Sequence, residues 1–159
     1  MWQWDGVQFE LLHPPAASYA AILKPNARSC VLRVSAANGA TALLTGDIER
    51  AQELALAEAG SAVLHADVML MPHHGSRTSS TARFIDAVRP WLAMVQAGYR
   101  SRFGHPVPDV VARYRERGIM VLESARCGAM HWSSEHRTPA CERDAVRRYW
   151  HHPDETRTP

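Results

Sequence analysis

The stretch DVMLMPHHGS, residues 67–76, decides how this chain is to be read. Val68, Met69, Leu70 and Met71 make an apolar run too short for a helix, and Pro72 closes it, so a short strand is predicted over 67–71. Two adjacent histidines, a glycine and a serine follow directly. At a strand end such a group suits a metal site, a phosphate cradle or a polar turn with one histidine capping the next helix.

Working outward, the same grammar repeats. VQFELL (7–12) and SCVLRV (29–34) have strand patterns, and ATALLTGD (40–47) is a third strand reached through the hairpin signal Asn38-Gly39. IERAQELALAEA (48–59) carries good helix formers, with Ile48, Ala51, Leu54 and Ala55 on one face and Gly60 as its stop. After the histidine loop a helix is predicted from Thr81 to Arg89 with Phe84, Ile85 and Val88 inward. WLAMVQ (91–96) then returns as a strand. Residues 97–107 form a loop. Pro108 opens a helix with Val110, Val111 and Tyr114 buried, and Gly118 ends it. IMVLES (119–124) and GAMHWS (128–133) complete the strands. Strands alternating with helices predict a layered α/β arrangement, in which ligand chemistry gathers on loops at strand C-terminal ends. Asp47, His73, His74 and the 97–107 loop all fall there.

The bulk composition agrees with a folded domain. The chain has 159 residues, 46% hydrophobic and 21% charged, with a net charge of +2. That is enough for one core and too mixed in sign for wholesale disorder. No apolar run approaches the roughly 20 residues that span a bilayer, and MWQWDGVQFE lacks the pattern of a signal peptide, so a soluble chain is expected. Three cysteines show no CxxC spacing; Cys30 and Cys127, in strand-like segments, are expected in the core. From about Ser134 the chain changes character. Five Arg balance five Asp or Glu over 133–159, and a peripheral tail with one helix near 140–150 is expected.

Three clusters carry possible chemistry. Asp47 in LLTGD is either the N-cap of the next helix or a hard ligand for a divalent cation. His73 and His74 are ligands, orienting groups or turn residues. In GYRSRFGHP (98–106), Arg100, Arg102 and His105 belong to a segment, 99–117, with five Arg against two acids. Such a loop suits a phosphate-bearing substrate, and a solvated surface is the plain alternative.

Taken together, SCVLRV, LLTGDIE, DVMLMPHHGSRTSS and QAGYRSRFGHP, preceded by WQWDGVQFELLHPP, resemble the C-terminal metallo-β-lactamase-like domain of ComEC-type competence proteins, bacterial membrane proteins of DNA uptake. The resemblance runs from about Trp4 to Trp132. It implies a partial metallo-β-lactamase-like αβ(βα) sandwich over 1–133, a mixed sheet with helices on one face. It further implies a divalent metal site (Zn or Mn) in which Asp47 bridges two ions and one of His73 and His74 is a ligand, His74 being favoured and His73 then standing beside it. Ser76, Arg100 and Arg102 would contact DNA, and His105 would donate a proton to the leaving oxygen or contact phosphate. The chemistry implied is hydrolysis of DNA phosphodiesters on the periplasmic side of the inner membrane, beside a membrane channel.

One departure limits this. The superfamily's first metal motif, His-x-His-x-Asp-His, is missing, and no His-x-His occurs in the chain. The 159 residues therefore correspond to the C-terminal half of such a domain, and their own metal binding is expected to be weak or absent. An exposed apolar sheet face, or a homo-oligomer covering it, is expected where the other half would sit. The competing readings are a non-catalytic DNA-binding or assembly module and a small-substrate hydrolase of the same superfamily.

Overall fold

The computed structural model describes residues 1–20, 22–146 and 148. Seven strands form one mixed sheet in chain order: β1 (Trp2–Trp4), β2 (Val7–His13), β3 (Val31–Ser35), β4 (Thr41–Leu44), β5 (Val68–Leu70), β6 (Leu92–Val95) and β7 (Met120–Glu123). The first four strands pair antiparallel and β4 to β7 pair parallel. The switch at β4 follows from the connections. Asn38-Gly39 turns β3 straight back into β4, whereas each later strand is reached through helices. These are α1 (Arg50–Glu58), α2 (Ser61–Leu64), α3 (Ala82–Val88) and α4 (Pro108–Arg115).

Parallel crossovers between neighbouring strands share one hand, so the helices collect on one face of the sheet. There Ile48, Leu56, Phe84, Ile85, Val88, Val110 and Tyr114 bury against Val31, Leu43, Met69, Ala93 and Val95. The inward residues of α3 and α4 are those expected. In α1 they are not. The helix starts at Arg50 with Glu49 as its N-cap, so Glu53 and Leu56 face the core while Ala51 and Ala55 are exposed.

The other face is covered on only one side. Because side chains alternate along a strand, the residues flanking Leu43, Met69 and Ala93 point away from the helices. Over β5–β7, Val68, Leu92 and Met94 bury there under Met130 and Trp132. Those two residues belong to β8 (Met130–Ser133), which pairs not with the main sheet but with β9 (His136–Cys141). The strand expected over 128–133 is thus present, outside the main sheet. Gly128, at φ 71°, turns the chain out of it after α5 (Ser124–Cys127), and Asn38 Nδ2 donates to Ser134 O to hold the hairpin. The expected helix of the tail is short, α6 (Glu142–Ala145), ending at an extended Val146; residues 147, 149 and 150 of the expected range lie outside the described residues.

Over β1–β4 the same face stays open. The cross-strand rows Leu11–Leu32–Leu44 and Trp2–Phe9–Val34–Ala42 are wholly apolar. Trp2, Leu11 and Leu44 remain 50%, 45% and 38% exposed. The exposed apolar patch expected from the sequence is present.

Of the two cysteines expected in the core, Cys127 is there and Cys30 is not. Cys127 is buried and forms a disulfide with Cys141, Cα–Cα 4.6 Å, closing the β8–β9 hairpin at its base. Cys30 is exposed and free, because β3 starts one residue after it and leaves Cys30 in the preceding loop. The disulfide spans 14 residues, a loop whose closure is worth about 3 kcal/mol. Dithiothreitol is therefore expected to lower the melting temperature, and Cys127→Ser to reproduce the loss. A melting curve that ignores the reductant would contradict the pairing.

Candidate functional site: a carboxylate–imidazole pair beside a basic loop

Asp47 lies just past β4, in a turn held from below. Thr45 is buried and its Oγ1 donates to Leu70 O at 2.8 Å, and Gly46, at φ 54°, brings the backbone against Cys30 O. Of the two readings of Asp47, capping does not hold. Glu49 is the N-cap of α1, and its own N–H is taken by Gln52 Oε1 at 3.2 Å. The Asp47 side chain is left half-exposed with Oδ1 3.5 Å from His74 Nε2.

The histidine loop has a backbone that side-chain-bearing residues rarely adopt. His73, His74 and Gly75 all lie in the left-handed region, at φ 49°, 56° and 74°. Each non-glycine residue held there costs on the order of 1 kcal/mol or more and persists only where its surroundings enforce it. The enforcement is visible: His73 N–H donates to Gly46 O, Ser76 N–H to His73 O, and Val107 N–H to Gly75 O. Gly75 is required for a further reason. A Cβ there would stand 2.7 Å from Pro106 Cβ, so only glycine lets the two loops meet.

This backbone gives the two histidines different surroundings. His74 Nδ1 is 2.7 Å from the Gln96 carbonyl, which can only accept, so Nδ1 carries a proton and Nε2 is the ring nitrogen that faces Asp47. His73 is more enclosed. Asn26 Nδ2 faces its Nε2 at 3.4 Å, and its Nδ1 faces Thr78 Oγ1 at 3.3 Å and Glu49 Oε1 at 3.4 Å. Its lone pair already has a donor. His74 is thus the more open imidazole, beside Asp47, and His73 the one held by its neighbours. Asn26, Glu49 and Thr78 were not singled out from the sequence. They lie 47, 24 and 5 residues from His73, and only folding joins them.

Two donors about 2.0–2.1 Å from one ion at a tetrahedral angle stand about 3.4 Å apart. The Asp47–His74 separation fits one edge of such a coordination shell. Among the described residues no group of three His, Cys, Asp or Glu side chains is arranged to hold an ion.

The remaining expected residues divide in the same way. Ser76 is buried and its Oγ is shared with Thr78 Oγ1 at 3.2 Å, inside the loop rather than on its surface. Arg100 and Arg102 are exposed beside the site, with guanidinium carbons 5.4 Å and 4.6 Å from the Tyr99 and Phe103 rings. His105 stands against His73, ring centroids 6.1 Å apart, and its Nδ1 is buried with no hydrogen-bond partner. Burial first, then the neighbouring His73 and His74, lower its pKa below the usual imidazole value, so it is neutral at pH 7. A neutral imidazole is suited to accepting a proton or hydrogen bond more than to donating as imidazolium.

No helix among the described residues is long and apolar enough to cross a membrane. No protein-family model matches the chain. Over 131 residues the chain is 40% identical to competence protein ComA of Neisseria gonorrhoeae, covering 82% of this chain and 18% of that protein. It is 30% identical over 131 residues to ComE operon protein 3 of Bacillus subtilis, covering 82% and 16%. To recombination protein 2 of Haemophilus influenzae it is 32% identical over 127 residues, covering 80% and 15%. Over about four-fifths of its length the chain is therefore related to ComEC-type competence proteins, and it spans less than a fifth of the length of each.

Proposed function

We propose that the chain is part of a DNA-uptake protein and supplies one wall of a metal-dependent phosphodiesterase site of the metallo-β-lactamase type. The observation that carries this reading is the Asp47–His74 pair: 3.5 Å apart, with His74 Nδ1 held by Gln96 O so that Nε2 is the nitrogen turned to Asp47. A divalent ion such as zinc or manganese, when bound, supplies an activated water and charge stabilisation for phosphodiester hydrolysis. Asp47 and His74 would hold it. His73 keeps His74 in place through the shared left-handed turn. Arg100 and Arg102 neutralise strand phosphates, and His105, neutral and packed against His73, accepts a proton or hydrogen bond from the reacting water or donates its ring N–H to a phosphate oxygen.

A catalytic zinc keeps three protein ligands and one open position, and Asp47 with His74 makes two. The missing ligands are assigned to sequence outside these 159 residues, which would also cover the open apolar face of β1–β4. The Cys127–Cys141 disulfide supports an oxidising compartment, in keeping with the periplasmic side of the inner membrane. The same ligand deficit favours a second reading for the chain on its own, a DNA-binding or assembly module.

Cleavage of a labelled oligonucleotide with Mn²⁺ or Zn²⁺ separates the two. The 159 residues alone are expected to be inert and a longer version carrying further histidine ligands to cut. If the longer version binds DNA but cuts with no divalent metal, the binding module is the correct function. Each phosphate contact on a single strand contributes about 0.7 to the slope of log affinity against log salt. Replacing Arg100 and Arg102 with alanine is expected to flatten that slope by about 1.4; an unchanged slope would remove both residues from the interface.

A further inference from the structure

The aromatic rings of the site continue outward from the ligand pair. His74 and His73 have ring centroids 6.5 Å apart, His73 and His105 6.1 Å, and His105 and Phe103 6.0 Å with ring planes 25° apart. Phe103 ends the series 66% exposed, with the Arg102 guanidinium 4.6 Å from its centroid. Its loop is shaped by backbone and by Ser101: Gly104 N–H donates to Ser101 O and Phe103 N–H to Ser101 Oγ. The phenyl ring therefore serves neither the loop nor the core. A single exposed phenylalanine needs no explanation. One that is stacked near-parallel on a site histidine, under a cation and flanked by the exposed Tyr99 and Arg100, calls for one.

We propose that Phe103 and Arg102 form a base-stacking platform for single-stranded nucleic acid, seating one unpaired base at the loop tip and directing the adjoining phosphates toward Asp47 and His74. Only the direction of the phosphates rests on the phosphodiesterase reading; the platform itself does not. Every nucleobase has a π-face, so the platform is sequence-tolerant, and duplex DNA, whose base faces are already stacked, cannot use it. The arginine adds a cation to the ring and a charge for the backbone.

The test is binding by the 159-residue chain in EDTA, followed by fluorescence anisotropy, so that hydrolysis plays no part. The probes are an oligothymidylate of about twelve nucleotides, an abasic strand of equal length and a blunt duplex. Oligothymidylate is expected to bind most tightly. Phe103→Ala should weaken it about five- to a hundred-fold while leaving the abasic strand unchanged, and Phe103→Trp should restore it. Equal loss on both strands, no loss, failure of tryptophan to rescue, or no binding at all would each overturn the platform. If Phe103 governs binding but the longer protein never cleaves, the platform stands and the hydrolytic reading falls; cleavage without any effect of Phe103→Ala gives the converse.

Discussion

Asp47→Ala, introduced into a longer version of the protein that cuts DNA, is expected to lower kcat/KM by at least about 100-fold and leave the melting temperature nearly unchanged. The first figure follows from rank. Removing a group that only orients a ligand typically costs 10–100-fold, and the proposed function makes Asp47, 3.5 Å from His74 Nε2, a ligand itself. The second follows from the capping geometry. An aspartate N-cap replaced by alanine costs about 1 kcal/mol, but α1 is capped by Glu49 and Asp47 is half-exposed. His74→Ala should match Asp47→Ala. His73→Ala should cost less, about ten-fold, because its Nε2 faces Asn26 rather than the open site. Steady-state cleavage rates set beside melting curves check the set. Retained cutting by Asp47→Ala, or a fall in rate explained by lost stability, would remove Asp47 from the metal site.

Glu53→Ala is expected to have the opposite profile, a large loss of stability from a residue that touches no candidate ligand. Glu53 is fully buried in α1 and accepts the N–H groups of Ser80 and Thr81 on its two carboxylate oxygens. Ser80 lies in the left-handed region at φ 59°; Tyr114 Oη donates to its Oγ at 3.0 Å, and Arg113 donates to the carbonyls of Ser79 and Ser80. Alanine leaves two buried donors unmet and a cavity behind, on the order of 2–4 kcal/mol. In a chain of this size that is a fall of about 6–12 °C in melting temperature. Burial raises the Glu53 carboxyl above its usual range, against the Thr81 and Ser80 amides, which lower it. The folded state thus holds this proton more tightly than the unfolded one. That contribution is complete below the ordinary glutamate value and is lost as pH rises through the folded value. Urea titrations across this range are expected to show the wild type losing stability relative to Glu53→Gln as pH rises. A pH-independent difference between the two would remove the burial effect.

Much of this fold was legible from period and punctuation. Asn38-Gly39 announced the β3–β4 hairpin, and Pro108 and Gly118 bracketed α4. What escaped was short or polar. β1 is three residues long, although Asp5-Gly6 is a hairpin turn as plain as Asn38-Gly39, with both residues at positive φ. β9 contains Pro139 and no apolar alternation, and its partner strand lies outside the main sheet. In α1 a two-residue error in the start rotated the predicted face by more than a quarter turn, which hid Glu53. At the site, residue types left Asp47, His73 and His74 open between ligands and caps or turns; the resemblance singled out Asp47 and favoured His74, and their relation could not be read from spacing. It depends on left-handed backbone at His73 and His74, which no propensity favours, and on a carbonyl contributed by Gln96.

The contact between Gly75 and Pro106 couples the two loops of the site. With Val107 N–H bonded to Gly75 O across the same seam, the histidine turn and the basic loop are joined near their bases. They can shift together but are hindered from opening independently, so the site has the character of a fixed jaw rather than a hinged lid. On the proposed function, a strand drawn along the arginines would meet a carboxylate and an imidazole carried on loops already joined to one another. Little ordering entropy would remain to oppose its capture.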